Sequence, residues 1–471
     1  MAPRISTLRG LTALVVAATA GALLPLAGSA AAPDNPWTRV DGGGIAARSA
    51  QPADVRTDRF AGFTLNRSAL AATLGRAAAL EVVLPTPAGT FERFELVDAP
   101  VMEPELAAKH PEIRTYAGRG LDDPTATVRA DLTPLGFHAS VRSPKGQWFV
   151  DPYSHRDQGL YASYYGQDLN PVGPLRETDI QRVARIPHPG DPSPVVRLRT
   201  YRLALVTDPS YARYFGAENV TAAKVTLVNR VAQVYEDETA IRLLLVNGTD
   251  KTNLNTDAEA TGPDGPCGAA PCYTPDELST CGVETLGRNA TVLGQLIGAA
   301  NYDIGHIALG VNGGGIAGAG VGGAYKAIGC TGLPTPVGDF FAIDYVSHEM
   351  GHQFAANHTF DGDQWSCGGG NRNASTSYEP GSGSSIMAYA GICRQDNLQP
   401  HSDPYWSHGS YAEITSYVST DLPSDSEVQN VALRGFDGTD SFTVTYRGRT
   451  SAPITHGAGY TPEAIKAALE A

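Results

Sequence analysis

The chain has 471 residues, 35 Lys and Arg against 49 Asp and Glu, and a net charge of −14. The acidic excess is spread along the chain, which argues against a nucleic-acid partner and describes a negatively charged, soluble surface. The residues beyond position 32 suffice for two or three domains.

Arg4 and Arg9 precede an apolar run from Leu11 to about Leu26, and small residues follow to Ala32. This is the pattern of a secretory signal peptide, over 1–32, removed near Ala30 or Ala32. The apolar run is broken by Gly21, Pro25 and Gly28, which favours cleavage over anchoring. The expectation is a secreted, extracellular protein with no membrane contact after cleavage.

Residues 33–58 are polar and aperiodic and read as a flexible lead-in. Strand-like alternations recur at Leu80–Leu84, Phe91–Leu96, Ala126–Leu132, Gly136–Val141 and Gln147–Val150, separated by turn residues. A mainly β domain of roughly 100 residues is therefore predicted. Six prolines between Pro171 and Pro194 mark a linker over 166–196. Residues 33–196 thus form one N-terminal region.

A new register starts at Leu198. Arg199–Thr207 reads as a strand and Val220 to about Glu238 as an amphipathic helix, with Val225, Val228, Val231, Ala232 and Tyr235 on one side. Ile241–Val246 reads as a buried strand, followed by a loop of roughly 30 residues. Val292–Ala299 reads as a short helix and Tyr302–Val311 as a strand. Asp339 is a plausible N-cap for a further, strongly apolar helix. The order describes a mixed α/β (α+β) architecture, a mixed sheet with helices against it, over 197–422. Residues 423–471 form a C-terminal partial module, with a strand at Ser441–Arg447 and a short helix from Thr461-Pro462.

That apolar helix leads into His348-Glu-Met-Gly-His352-Gln-Phe-Ala-Ala-Asn-His358. Residues four apart share a helical face, so His348 and His352 can point at one ion. Glu349 can reach a water on that ion. His358 joins only if the helix ends after about Phe354 and the chain turns back. Three histidine ligands leave the fourth position of zinc open, as a catalytic site requires. In that chemistry Glu349 takes a proton from the attacking water and passes it to the leaving amine. Metal-assisted hydrolysis of a peptide bond is the expected reaction, with protein or peptide substrates.

The six cysteines are Cys267, Cys272, Cys281, Cys330, Cys367 and Cys393. In a secreted chain they suggest three disulfides, with fifteen pairings open. Cys367–Cys393 is favoured because it would staple the loop between His358 and Met387; Cys267–Cys272 and Cys281–Cys330 would follow.

Ser385-Ile-Met387-Ala-Tyr389 lies downstream of His358. Together with the histidine motif it resembles the metzincin clan of zinc endopeptidases, whose pattern is HExxHxxGxxH followed by a methionine turn. The resemblance implies a metzincin-type catalytic domain with a mixed, mostly parallel sheet and an active-site helix. It implies His348, His352 and His358 as zinc ligands, Glu349 as general base and Met387 as the floor of the site. Tyr389 sits where some members carry a tyrosine that approaches the metal. Ala355 stands where the clan has glycine, so φ > 0 there would cost about 1 kcal/mol or more. Tyr302–His306, Gly313–Gly318 and Cys367–Asn371 are similar to bacterial reprolysin-like (adamalysin-like) peptidases. That likeness implies that Gly313–Gly318 is an edge strand over the cleft, weighed against a flexible glycine-rich loop, and that the mainly β N-terminal region is a prodomain of a zymogen, weighed against a folding chaperone or an accessory domain never removed.

Without a cysteine that region cannot block zinc by a thiolate; Asp191 is a weak candidate for doing so through a carboxylate. Asp361 and Asp363 are candidates for calcium (Ca2+), weighed against a solvated polar loop. His306 is read as a packed strand residue; a rival zinc site with glutamate as third ligand would need a downstream helix, but Glu379 sits in Tyr-Glu-Pro-Gly, which breaks helices. A monomer is expected. The functional alternative is a non-catalytic secreted binding or adhesion protein on the same fold.

Overall fold

Alternating sequences closed by tight turns build the strands between Trp37 and Tyr165 into one antiparallel sheet. Its strands are β1 (Trp37–Val40), β2 (Ala61–Leu65), β3 (Leu80–Pro85), β4 (Phe91–Asp98) and β5 (Arg114–Gly120), then β6 (Thr127–Thr133), β7 (Gly136–Ser143), β8 (Gly146–Ser154) and β9 (Asp157–Tyr165). Their order is β1-β2-β9-β8-β7-β6-β5-β4-β3. The computed structural model describes residues 35–40, 44–45, 48–49, 51–75, 80–170, 197–419, 438–446 and 449–470. The predicted signal peptide, most of the predicted linker and Asp191 lie outside the described residues.

The lead-in contains a core residue. Trp37 is buried against Phe63, Phe137 and Tyr161, and its indole N–H donates to Val83 O at 2.8 Å. A single aromatic anchor carries no periodicity, so pattern reading passed over it.

The second sheet contains β10 (Arg199–Thr207), β11 (Ile241–Leu245), β12 (Ile304–Leu309), β13 (Gly314–Ala317) and β14 (Gly329–Gly332), in the order β11-β10-β12-β14-β13. The first three pairings are parallel and β13 pairs antiparallel to β14. β13, the glycine-rich segment, is therefore an edge strand. The opposite edge is covered: Glu103 N–H donates to Leu245 O and Leu245 N–H to Val101 O, at 2.9 and 2.8 Å. Segment 101–103 thus protects β11 from edge pairing.

The long helix Val220–Thr239 is buried nearly all round. Its apolar side meets the second sheet's core, as the spacing predicts. Its polar side also lacks solvent, because β6, β7 and β8 supply partners for it. Thr226 donates to Asp131, Asn229 to Ala130 O, and Ser140 to Gln233, at 2.7–3.0 Å. Arg230 pairs with Asp151 and lies over the Phe149 ring. Burial works against the Arg230 charge, but Asp151 more than offsets it and holds the pKa above its ordinary value.

Three further expectations change. The helix read as starting at Val292 spans Val283–Leu296, packing Leu286 beside Val292 and Leu293. Asp339 makes no capping hydrogen bond; it is buried, and Phe340–Ser347 is π-helical, not α-helical. The C-terminal strand is reduced to two-residue pairings at Ser441–Phe442 and Thr445–Tyr446, while the helix Pro462–Glu470 forms after Thr461.

Truncating Arg230 to Ala would leave the buried Asp151 carboxylate without its cationic partner, with Tyr164 OH still donating to it. The expected loss is about 3–5 kcal/mol of stability, measured by urea unfolding; a loss below about 1 kcal/mol would show that the pair is not load-sharing.

Candidate metal centre

The apolar π-helical stretch runs into a short α-helix, His348–Gln353, which places His348, Glu349 and His352 in the interior. That helix ends in a Schellman turn. Ala355 N–H donates to His352 O and Ala356 N–H to Gly351 O, both at 2.9 Å. The residue that turns the chain is Ala355, at φ +70°. The left-handed conformation demanded of this position is thus adopted without glycine.

The turn delivers His358 to the first two histidines. Its Nε2 lies 3.2 Å from that of His348 and 2.9 Å from that of His352. Among the described residues this trio is the one group of three or more His, Cys, Asp or Glu side chains able to hold a metal ion.

Each ring is oriented by a backbone carbonyl. His348 Nδ1 lies 2.6 Å from Ile386 O, His352 Nδ1 2.8 Å from Ala356 O, and His358 Nδ1 2.7 Å from Asn371 O. A carbonyl can only accept, so each Nδ1 carries the proton and each Nε2 presents a lone pair. Three converging lone pairs repel one another unless a cation lies between them. A tetrahedral zinc bonded to nitrogens at about 2.0–2.1 Å needs them roughly 3.3 Å apart. Both the chemistry of this donor set and its spacing fit zinc.

Two glycines make room around the trio. A Cβ on Gly351 would sit 2.4 Å from Met387 Sδ, so Met387 packs directly beneath the helix. A Cβ on Gly315 would sit 1.9 Å from Glu349 Oε1, which brings the carboxylate against edge strand β13. Tyr389 is buried, its ring 4.4 Å from Phe360 and 4.7 Å from His358.

The disulfides are Cys267–Cys272, Cys281–Cys330 and Cys367–Cys393. The third joins the loop after His358 to the chain after Met387, and that loop carries Asn371, whose carbonyl orients His358.

Other candidates fall away from the trio. Glu379 accepts from Ser384 N–H and Ser385 N–H at 2.8 and 3.1 Å, so it braces the methionine turn. Asp361 pairs with Arg372, and Asp363 accepts from Gln364 Nε2 at 2.6 Å; calcium finds no support there. His306 is buried in β12, its Nδ1 3.0 Å from Gln353 Oε1, and Gln353 Nε2 donates to Gly305 O at 2.9 Å. This pair ties the end of the histidine helix to the sheet. Burial pushes the His306 pKa down to about 4, the Gln353 bond acting in the opposite direction.

Sequence reasoning missed the three carbonyl partners, because a carbonyl has no residue type. It also missed Gly315 and Gly351, whose role is a close approach seen only in space.

Residues 217–408 match the family model described as metallo-peptidase family M12B, reprolysin-like. Among solved structures the chain is similar to metalloproteinase-II from Bacteroides fragilis, at 10% identity and a TM-score of 0.38, covering 74% of this chain and 95% of that one. Among curated proteins none matches.

Two outcomes follow from this geometry. Ala355→Gly relieves the left-handed strain, partly offset by the entropy of a freer unfolded chain, and should stabilise the fold by about 0.5–1 kcal/mol; a lower melting temperature would contradict it. The His306 pKa lies below its unfolded value near 6.5, so the unfolded chain binds the extra proton as pH falls. Stability contributed by neutral His306 is complete above about 6.5 and is lost toward pH 4, about 3 kcal/mol in full. Urea midpoints of metal-free wild type and His306→Gln should therefore converge on acidification; a constant difference would contradict the assignment.

Proposed function

We propose, on the match of residues 217–408 to the model of metallo-peptidase family M12B, reprolysin-like, that the chain is a secreted zinc-dependent endopeptidase. The observation that carries this reading is the convergence of three Nε2 lone pairs beside a buried glutamate. His348, His352 and His358 would hold the ion. When bound there, zinc supplies Lewis acidity, polarising a carbonyl oxygen and making water more acidic.

The chain's own residues supply the rest. Glu349 accepts a proton from the attacking water and returns it to the leaving amine nitrogen. β13, an edge strand beside Glu349, offers backbone groups to an extended peptide. Met387, packed beneath the helix, would floor the site, and Tyr389, stacked on Phe360, would donate a hydrogen bond as charge develops.

The proposed organisation is a signal peptide over 1–32, an N-terminal propeptide-like region over 33–196, a catalytic domain over 197–422 and a partial module over 423–471. Three disulfides support an extracellular location, and no described helix is long and apolar enough to cross a membrane.

Zymography on casein or gelatin tests the reading. Clearing should vanish with a zinc chelator and return with added zinc. Glu349→Gln should bind zinc with wild-type stoichiometry while losing nearly all turnover, on the order of 10²-fold or more. Zinc-independent clearing, or full turnover by the glutamine variant, would sink the mechanism.

A further inference from the structure

The third histidine depends on a turn that holds an L-residue in the left-handed region, at Ala355. Two residues on, Asn357 immediately precedes His358 and is gripped from outside the histidine segment. Its backbone N–H donates to Glu413 Oε2 at 2.8 Å and its side-chain Nδ2 to Glu413 Oε1 at 2.7 Å. Its own Oδ1 accepts from Asn373 Nδ2 at 3.0 Å. Glu413 is buried, on the helix His408–Ser419, beyond the matched family segment, which ends at residue 408.

That helix is a firm base. Ile414 and Val418 lie in the core, Tyr378 OH accepts from Gly409 N–H at 3.0 Å, and Tyr417 OH donates to Val321 O at 3.0 Å. A carboxylate suits the task because both its oxygens accept and neither donates. Two N–H groups of one residue therefore fix it in position and rotation together, through charge-assisted bonds. A glutamine there would turn an NH2 group toward one of the two donors.

We propose that Glu413 is a positioning residue for the third metal ligand: a carboxylate clamp on Asn357 that holds the Ala355 reversal and so sets His358 Nε2 against the other two. It touches no substrate and no metal. It acts on the metal through the turn, and rests on the zinc reading above.

The test uses the full chain and zinc itself. Zinc affinity is measured by competition with a chromophoric chelator, alongside circular dichroism, melting of the metal-free protein and separate kcat and KM. Glu413→Ala should weaken zinc binding by up to about 10-fold, the low end of the range for loss of a partner bonded to a ligand itself, because Glu413 reaches His358 only through Asn357. Its kcat should fall at saturating peptide with KM little changed. Glu413→Gln, which keeps shape, should fall between the two. Asn357→Ala, which removes the side-chain donor to Glu413 and the acceptor for Asn373 but keeps the backbone N–H bond, tests the same clamp should Glu413→Ala fail to fold, and should weaken zinc several-fold. Placing Ala355→Gly in the Glu413→Ala background should recover part of the lost affinity, about 2–5-fold, because the turn then needs less holding. A role in packing alone would lower the melting temperature of all these variants and leave their zinc affinity at the wild-type value. That result would overturn the clamp. A wild-type chain that takes up no zinc would overturn the metal reading itself, and the clamp with it.

Discussion

The structure depends on keeping three imidazole nitrogens unprotonated and facing one another. Left alone, three such rings would rotate apart or share a proton. Here each Nδ1–H is committed to a backbone carbonyl, from Ile386, Ala356 and Asn371. Those carbonyls come from the methionine turn, the Schellman turn and the loop beyond the third histidine. Three separate backbone segments must be correct before the trio can converge. The surrounding devices serve that end: Glu379 bracing Ser384 and Ser385, the Cys367–Cys393 bridge, and the His306–Gln353 tie to the sheet. Fixing the tautomer by outer hydrogen bonds also makes each ligand more basic toward a metal.

The chemistry of the candidate site was largely legible from residue types. HExxH spacing puts two histidines and a glutamate on one helix. The distance to His358 demands a reversal, and that demand lands on Ala355, where φ is indeed +70°. Fifteen cysteine pairings were open by sequence; the favoured Cys367–Cys393 and the two pairs that go with it are those of the structure. What could not be read is whatever lacks a side chain or lies far along the chain. The orienting carbonyls are silent in sequence, and Glu413 sits 56 residues from Asn357.

The fold shows the same division. The apolar stripe of Val220–Thr239 was readable, but its polar side looked like an exposed face. Asn229, Arg230 and Gln233 are ordinary surface residues by type, and only the arrival of β6, β7 and β8 makes them interior. The unread Trp37 has a similar cause, since one aromatic in a polar stretch gives no period to detect. Asp339 failed as a cap because the turn it begins is π-helical and its side chain is enclosed.

The seam between the two sheets has a consequence for how the chain could be divided. Cutting the backbone between residues 170 and 197 breaks one covalent bond and none of the contacts described across that seam. Segment 101–103 would still pair with β11, and Asp151 with Arg230. Hydrolysis and separation are therefore distinct events. The first is a chemical step at one peptide bond. The second is a dissociation with its own barrier, set by strand pairing and a buried ion pair, so a nicked chain would run as two bands under denaturing conditions while migrating as one particle in native buffer.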